Sequence, residues 1–367
     1  METREHSAQT ALSRREALRL GLAAGLGAAS TLTRGLGVVP VYAQMPQAVS
    51  TPPNPAFPMP PTWETELREL APNVYAYIQA GGPGRNNVSV SDAGIIVGDD
   101  GVMVIDALAA PIHAKNFVAA VRKVTDKPFR HLINTHHHGD HVNGNQYFTP
   151  AEIIGHPYCR EEVLKMVPGP AMWAKRDGWA DGTEERRILP PATTIEHKVT
   201  HYYGKNVVEV FPMLPAHTYG DLVVYLPEHK ILFAGDIGFF YVAPFCQNAN
   251  PSNWIAIVDQ IVNRMDVETI VPGHGPIGGK QNLAEMGDYL RILKNEARKH
   301  YDEKVSAGKA AADIRLGKFE NWIGPERIIM DTARFYQEFS GTLTPAMDVV
   351  GIKTATEEYN AIKGKSY

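Results

Sequence analysis

The sequence predicts an α/β fold built from mixed sheets sandwiched between helices. Three observations point there. Strand-length apolar runs alternate with segments of helical period. Glycine- and aspartate-rich turns join neighbouring strand runs into hairpins, which a purely parallel sheet would lack. The 367-residue chain, 44% hydrophobic and 21% charged, is ordinary globular material with room for one large or two small domains. A formal net charge of -4 gives no general attraction to nucleic acid or to an anionic membrane, and no basic run of useful length supplies a local one. Neither partner is expected.

The elements follow in order. Residues 1–43 read as an export signal. Ser13-Arg14-Arg15 leads into the apolar, glycine- and alanine-rich run Ala17 to Leu32, too short and small-residued for a permanent span, and Val41-Tyr42-Ala43 supplies a cleavage point. The arginine pair resembles a twin-arginine signal, with Ala17 where phenylalanine is common and Arg19 where lysine is common. The reading places the mature chain in a bacterial periplasm or outside the cell, with no stable membrane span. A disordered tail and an uncleaved anchor are the plainer readings. Residues 44–72, with "TPPNPAFPMPPTW", read as a proline-rich extended arm.

From Asn73 the pattern turns to strands. "NVYAYIQ" is followed by "DAGIIVGDDGVMVID", two apolar runs that Gly98 to Gly101 fold into a hairpin. Phe117, Ala120, Val121 and Val124 give a helical stripe, and "FRHLINT" returns as a strand. A second cycle repeats the unit: "AEIIGH", a short helix to Met166, an irregular stretch from Val167 to Pro191, then the strands "NVVEVFPML", "DLVVYLP" and "KILFAGD". "WIAIVDQIVNRM" is an amphipathic helix and "ETIVPGHG" a last strand. From Gln281 to Val305 a helix carries Leu283, Met286, Leu290, Leu293 and Ala297 on one stripe. Residues 73–300 are thus expected to form one domain, and 301–367 a helical extension packed on it. Cys159 and Cys246 are too few for a disulfide framework and read equally as one bridge or as two buried thiols.

The chemistry concentrates in "NTHHHGDH", Asn134 to His141, which holds four of the chain's fourteen histidines. In an extended chain alternate side chains share a face, so His136 and His138 can converge on one ion while His137 points away. Asp140 and His141, past the turn at Gly139, can project toward a second position. Imidazole and carboxylate are suitable ligands for a hydrolytic metal, which also needs an open position for water.

His136-x-His138-x-Asp140-His141 is followed in order by His217 in "PAHTYGD", Asp236 in "LFAGDIGF" and His274 in "VPGHGP". Together these resemble the metallo-β-lactamase superfamily over roughly Asn73 to Leu290. The resemblance implies a four-layered αββα sandwich. It implies one metal at His136, His138 and His217, a second at Asp140, His141 and His274, and Asp236 as the bridge. The cofactors would be two divalent ions, zinc first, with iron or manganese as alternatives. The implied reaction is attack by a metal-activated water on an ester, lactone, thioester or amide of a small molecule, β-lactams included. The leaving group would be stabilised by the second metal or protonated through Asp140.

Asp236 stands where well-known zinc β-lactamases have cysteine or serine, which favours glyoxalase-II-like or lactonase-like branches. His137, where flavodiiron proteins carry a ligating glutamate, argues against an oxygen-reducing di-iron centre. A mononuclear-iron, persulfide-dioxygenase-like oxidoreductase, a hydrolytic dehalogenase, and a non-catalytic periplasmic metal protein linked to quinoprotein systems are the competing readings.

Asp106, closing "VMVID", matches a family aspartate that supports the ligands, or is an ordinary strand-end residue. Asn87, Tyr219, Trp173, Trp179, Phe239, Phe240 and Tyr241 are weak candidates for substrate contact, against core or loop packing. His156 reads as structural.

Overall fold

Two sets of alternating apolar residues fix the first sheet. Tyr77, Ile95, Val104 and Leu132 face one way, and Ile96, Met103, Ile105 and Ile133 the other, as a two-residue period requires. The computed structural model describes residues 46–85, 90–167 and 186–364; the expected export signal, Asn87, Trp173 and Trp179 lie outside them. Among the described residues this sheet has seven strands in sequence order. They are β1 (Glu66–Ala71), β2 (Val74–Ile78), β3 (Ala93–Val97), β4 (Val102–Ile105), β5 (Phe129–Ile133), β6 (Glu152–Gly155) and β7 (Thr193–Thr194). Pairings are antiparallel as far as β4 and parallel from there on. Helix α1 (Pro111–Val121) crosses from β4 to β5 and buries Ala114, Phe117 and Val121 on the outer face. The short helices α2 (Gly139–Val142) and α3 (Pro157–Leu164) follow β5 and β6. His156 caps α3, accepting the Tyr158 N–H.

The second sheet runs β12-β11-β10-β9-β8. Strands β8 (Val199–Tyr203), β9 (Asn206–Pro212), β10 (Leu222–Leu226) and β11 (Ile231–Phe239) are antiparallel, and β12 (Thr269–His274) lies parallel to β11 across helix α4 (Pro251–Arg264). Val208, Val210, Val224 and Phe233 meet the inner face of the first sheet. Leu232, Ala234 and Ile270 face Trp254 and Val258 of α4 and the buried stripe Leu283, Met286, Leu290 and Leu293 of α5 (Lys280–Asp302). Helix, sheet, sheet and helix therefore stack as four layers.

Three further helices, α6 (Ala307–Asp313), α7 (Ile328–Ser340) and α8 (Val349–Lys363), send Ala311, Ile329, Phe335 and Tyr359 into the α4–α5 core. The stretch read as an extended arm crosses this extension. Asn321 Nδ2 donates to the carbonyls of Asn54 and Phe57 at 2.9 Å each, and the Val49 N–H donates to Asn360 Oδ1 at 2.8 Å. That stretch is not all arm, because its last residues form β1. The strand escapes the sequence pattern because it is an edge strand carrying Glu66, Arg68 and Glu69, charges that suit an exposed edge. Edge strand β8, with Tyr202 exposed, is hidden in the same way. Cys159 and Cys246 are both free and buried, which removes the bridge. Among the described residues no helix is long and apolar enough to cross a membrane.

Candidate metal centre

Strand β5 ends at Ile133, and the chain bends through residues 135–137 before α2. The bend is held by Asp106, whose carboxylate accepts the Thr135 N–H at 2.8 Å and the Thr135 hydroxyl at 2.7 Å. Asp106 itself sits at φ +59, a costly conformation for a residue other than glycine. Three more elements converge on this point: the loop before β10 with His217, β11 with Asp236, and the end of β12 with His274. The His217 loop is knotted by Asp221, which accepts the backbone N–H groups of Ala216 and Thr218 and the Thr218 hydroxyl.

Two groups of donor atoms result. His136, His138, His217 and Asp236 lie within 4.8 Å of one another, and so do Asp140, His141 and His274. Asp236 faces both groups. Its Oδ2 is 3.1 Å from His217 Nε2 and 3.7 Å from His136 Nε2, while its Oδ1 is 3.0 Å from His141 Nε2. His274 Nε2 lies 3.2 Å from Asp140 Oδ2 and 3.4 Å from Asp236 Oδ2. His137 belongs to neither group, and its ring lies 5.6 Å from that of Tyr158. The extended geometry assumed from the sequence is not what separates it, since the chain bends there.

Partners outside the centre select which nitrogen faces inward. His141 Nδ1–H donates to Asp106 Oδ2 at 2.8 Å, and His274 Nδ1–H to the Val90 carbonyl at 3.0 Å. The Thr135 hydroxyl, already donating to Asp106, accepts from His136 Nδ1–H at 3.1 Å. In the neutral form of each ring Nε2 carries the lone pair and faces the cluster. His136 Nε2, His141 Nε2 and Asp236 Oδ1 are buried without a hydrogen-bond partner. Unpaired buried polar atoms are costly, and cations between them would satisfy all three. The residues present therefore fit divalent metal ions, and the donor set of imidazole nitrogens and carboxylate oxygens suits such ions.

The electrostatics divide the centre. Burial first, then neighbouring His217, lowers His138 to about 3, and burial with His141 lowers His136 well below its ordinary value. Burial would also lower His274 and His141, but the carboxylates beside them outweigh it: His274 is raised to about 9 and His141 well above its ordinary value. Burial would raise Asp140, yet His141 and His274 hold it down to about 2. Asp140 is also the most exposed of the seven donors, its side chain 17% accessible.

A model of the metallo-beta-lactamase superfamily matches residues 86–274, just over half of the chain. The chain belongs to the metallo-beta-lactamase superfamily. Among curated members, the linear primary-alkylsulfatase of Pseudomonas sp. (strain ATCC 19151) is 23% identical over 249 residues, covering 58% of this chain and 46% of that protein. The metallo-beta-lactamase type 2 of Bacillus sp. (strain 170) is 23% identical over 235 residues, covering 63% and 84%. Among solved structures, the inverting sec-alkylsulfatase Pisa1 from Pseudomonas sp. superposes with a TM-score of 0.58 at 16% identity over 76% of this chain and 50% of that one, a likeness of fold. The chain thus spans about half the length of these alkylsulfatases. The superfamily relatives matched here are hydrolases.

The aromatic candidates fare differently. Phe239 has no exposed surface, which fits core packing rather than the substrate contact weighed against it. It stacks on the ring of His274, 4.8 Å between centroids, and lies 5.6 Å from His217, bracing two histidines from behind. Phe240 is buried as well. Tyr241 packs on Trp322 of the extension, and Tyr219, half-buried, lies beside Tyr158. Sequence reasoning missed Asp92, which accepts the Gln79 N–H and has its second oxygen buried without a partner. It also missed Gln247 and Asn248, which reach His138 Nε2 at 3.1 and 3.0 Å. The polar run "CQNAN" directly behind an aromatic stretch was the available signal.

Proposed function

We propose that this chain is a dinuclear metal-dependent hydrolase of small organic esters, lactones, thioesters or amides. The observation that carries the reading is Asp236: its two oxygens face the two donor groups, an arrangement that serves a shared pair of ions better than a single one. Two divalent ions held there, zinc first among them, would activate a water molecule and polarise the bond it attacks. The protein's own part is to orient and to move protons. Asp106, Thr135 and the Val90 carbonyl lock three ligand rings. Asp140, the most accessible donor and 3.2 Å from His274, is held as a carboxylate, so it is placed to take up a proton released by the attacking water and pass it on to the leaving group.

Two separate donor groups favour this reading over a mononuclear-iron oxygenase. The sulfatase and β-lactamase relatives bring alkyl sulfate esters and β-lactams into the substrate set as well. Elemental analysis after loading with zinc, manganese or iron, alongside turnover of a carboxylic ester, a lactone, a β-lactam and an alkyl sulfate, tests the reading. About two ions with hydrolysis supports it. Oxygen uptake with one iron supports the oxidative alternative, and bound metal without turnover supports the non-catalytic one. Export is part of the proposal, resting on Arg14-Arg15 and the apolar run behind them. Changing both arginines to lysine should strand the chain in the cytoplasm on cell fractionation.

A further inference from the structure

We propose that the C-terminal extension takes part in the metal centre, through Asn248 as the positioning residue that decides which ring nitrogen of His138 faces the ions. The proposal rests on the dinuclear reading above. His138 differs from its neighbours in orientation. Its Nδ1 lies inward, 2.8 Å from His217 Nε2, and its Nε2 points outward, 3.0 Å from Asn248 Oδ1. A neutral imidazole carries one proton on one nitrogen. An ion needs the lone pair at Nδ1, so Nε2 keeps the hydrogen and an acceptor must meet it.

Asn248 is that acceptor because its other amide end is already committed. Asn248 Nδ2–H donates to the Pro345 carbonyl at 2.9 Å, which turns Oδ1 toward His138. The Gln247 amide comes equally near with its nitrogen, 3.1 Å away, but a donor cannot satisfy an N–H. Only with its oxygen inward could Gln247 share the role.

The anchor is itself anchored. Arg334 of α7, 3% exposed, donates to the Ala249 carbonyl at 2.7 Å, to the Thr344 carbonyl at 2.5 Å and to the Ala346 carbonyl at 3.2 Å. One guanidinium thereby ties the loop bearing Asn248 to the turn bearing Pro345. Further along the same loop, Asp331 accepts the Cys246 N–H at 3.0 Å and Arg327 donates to the Ala243 carbonyl at 2.6 Å. The whole stretch from Ala243 to Ala249 is held by residues of α7 and the turn before it. The family match covers the loop but ends at His274, short of the Arg327, Asp331, Arg334 and Pro345 that hold it.

The test reads the ring directly. In metal-free, 15N-labelled protein, long-range 15N–1H spectra report the tautomer of His138, assigned with His138→Gln. Wild-type protein is expected to carry the proton on Nε2. Asn248→Leu, close in size but without an acceptor, should shift the population toward Nδ1–H and weaken retention of one ion by about 10- to 100-fold in chelator competition. Asn248→Asp, which restores an acceptor, should recover most of that loss. Arg334→Met should weaken retention less, and combined with Asn248→Leu should add nothing further, since it acts through Asn248. An Nδ1–H tautomer in wild-type protein, or Asn248→Leu with unchanged tautomer and affinity, overturns the proposal. Wild-type protein that binds fewer than two ions contradicts the dinuclear reading instead, and the metal-free tautomer still decides the part played by Asn248.

Discussion

Gly273 shows how little slack the centre has. A Cβ built there would lie 1.9 Å from Asp236 Oδ1 and 2.8 Å from the Gly235 carbonyl carbon, so the Asp236 carboxylate occupies space only a glycine leaves free. Gly273→Ala should displace Asp236 and lower both metal content and rate at least about tenfold, as disturbances next to metal ligands do. Full metal content and an unchanged rate would contradict that placement of Asp236. The protonation states give a second expectation. His141 and His274 are held protonated by Asp236, Asp106 and Asp140 in the metal-free protein, His274 to about 9, while His138, at about 3, is neutral. An ion at Asp140, His141 and His274 must displace protons, whereas one bound by His136 and His138 meets rings that burial already keeps neutral. Affinity at the first of these positions should therefore rise with pH as far as about 9, with about two protons released near pH 7, more than are released at the other position. Calorimetry in buffers of differing ionisation enthalpy measures this, and equal proton release at both positions would refute the division.

Elements decide which of the clustered histidines matter. His136, His137 and His138 adjoin in sequence and the motif skips the middle one; the bend after β5, held by Asp106 and Thr135, turns the first and third together and leaves His137 against Tyr158. His138→Ala and His274→Ala should remove nearly all activity from a folded protein, whereas His137→Ala should keep both ions and most of the rate. Loss of metal from His137→Ala would show that the bend is misread. The sequence marked the long periodic elements well, since the stripe of α5 and the hairpin of β3 and β4 need only local pattern. It missed β1 and β8, whose charged and polar residues suit sheet edges, and it left Phe239 open between core packing and substrate contact. Whether an aromatic side chain on a fully buried strand faces a cleft or the back of a ligand depends on the register of its neighbour. Here β12 sets His274 opposite Phe239.

At the scale of the whole molecule, the ligand pattern was legible because its spacing is local, while the parts that steady it come from both ends of the chain. The extension supplies Arg327, Asp331 and Arg334 to the loop beside His138. The N-terminal stretch in turn binds that extension through Asn321 and Asn360. No periodicity announces such contacts, because each is one amide meeting a backbone far away in sequence. Asn321 is 6% exposed, donates to the carbonyls of Asn54 and Phe57, and accepts the Asn54 N–H. Asn321→Ala would remove three hydrogen bonds to these part-buried backbone groups and should lower stability by about 2–4 kcal/mol, read as a fall in the urea midpoint. The change lies outside the ligand groups, so the folded variant should still bind both ions. If instead the N-terminal stretch only rests on the surface, the midpoint will not move, and the helices of the extension are held by the apolar core of Phe335 and Tyr359 alone.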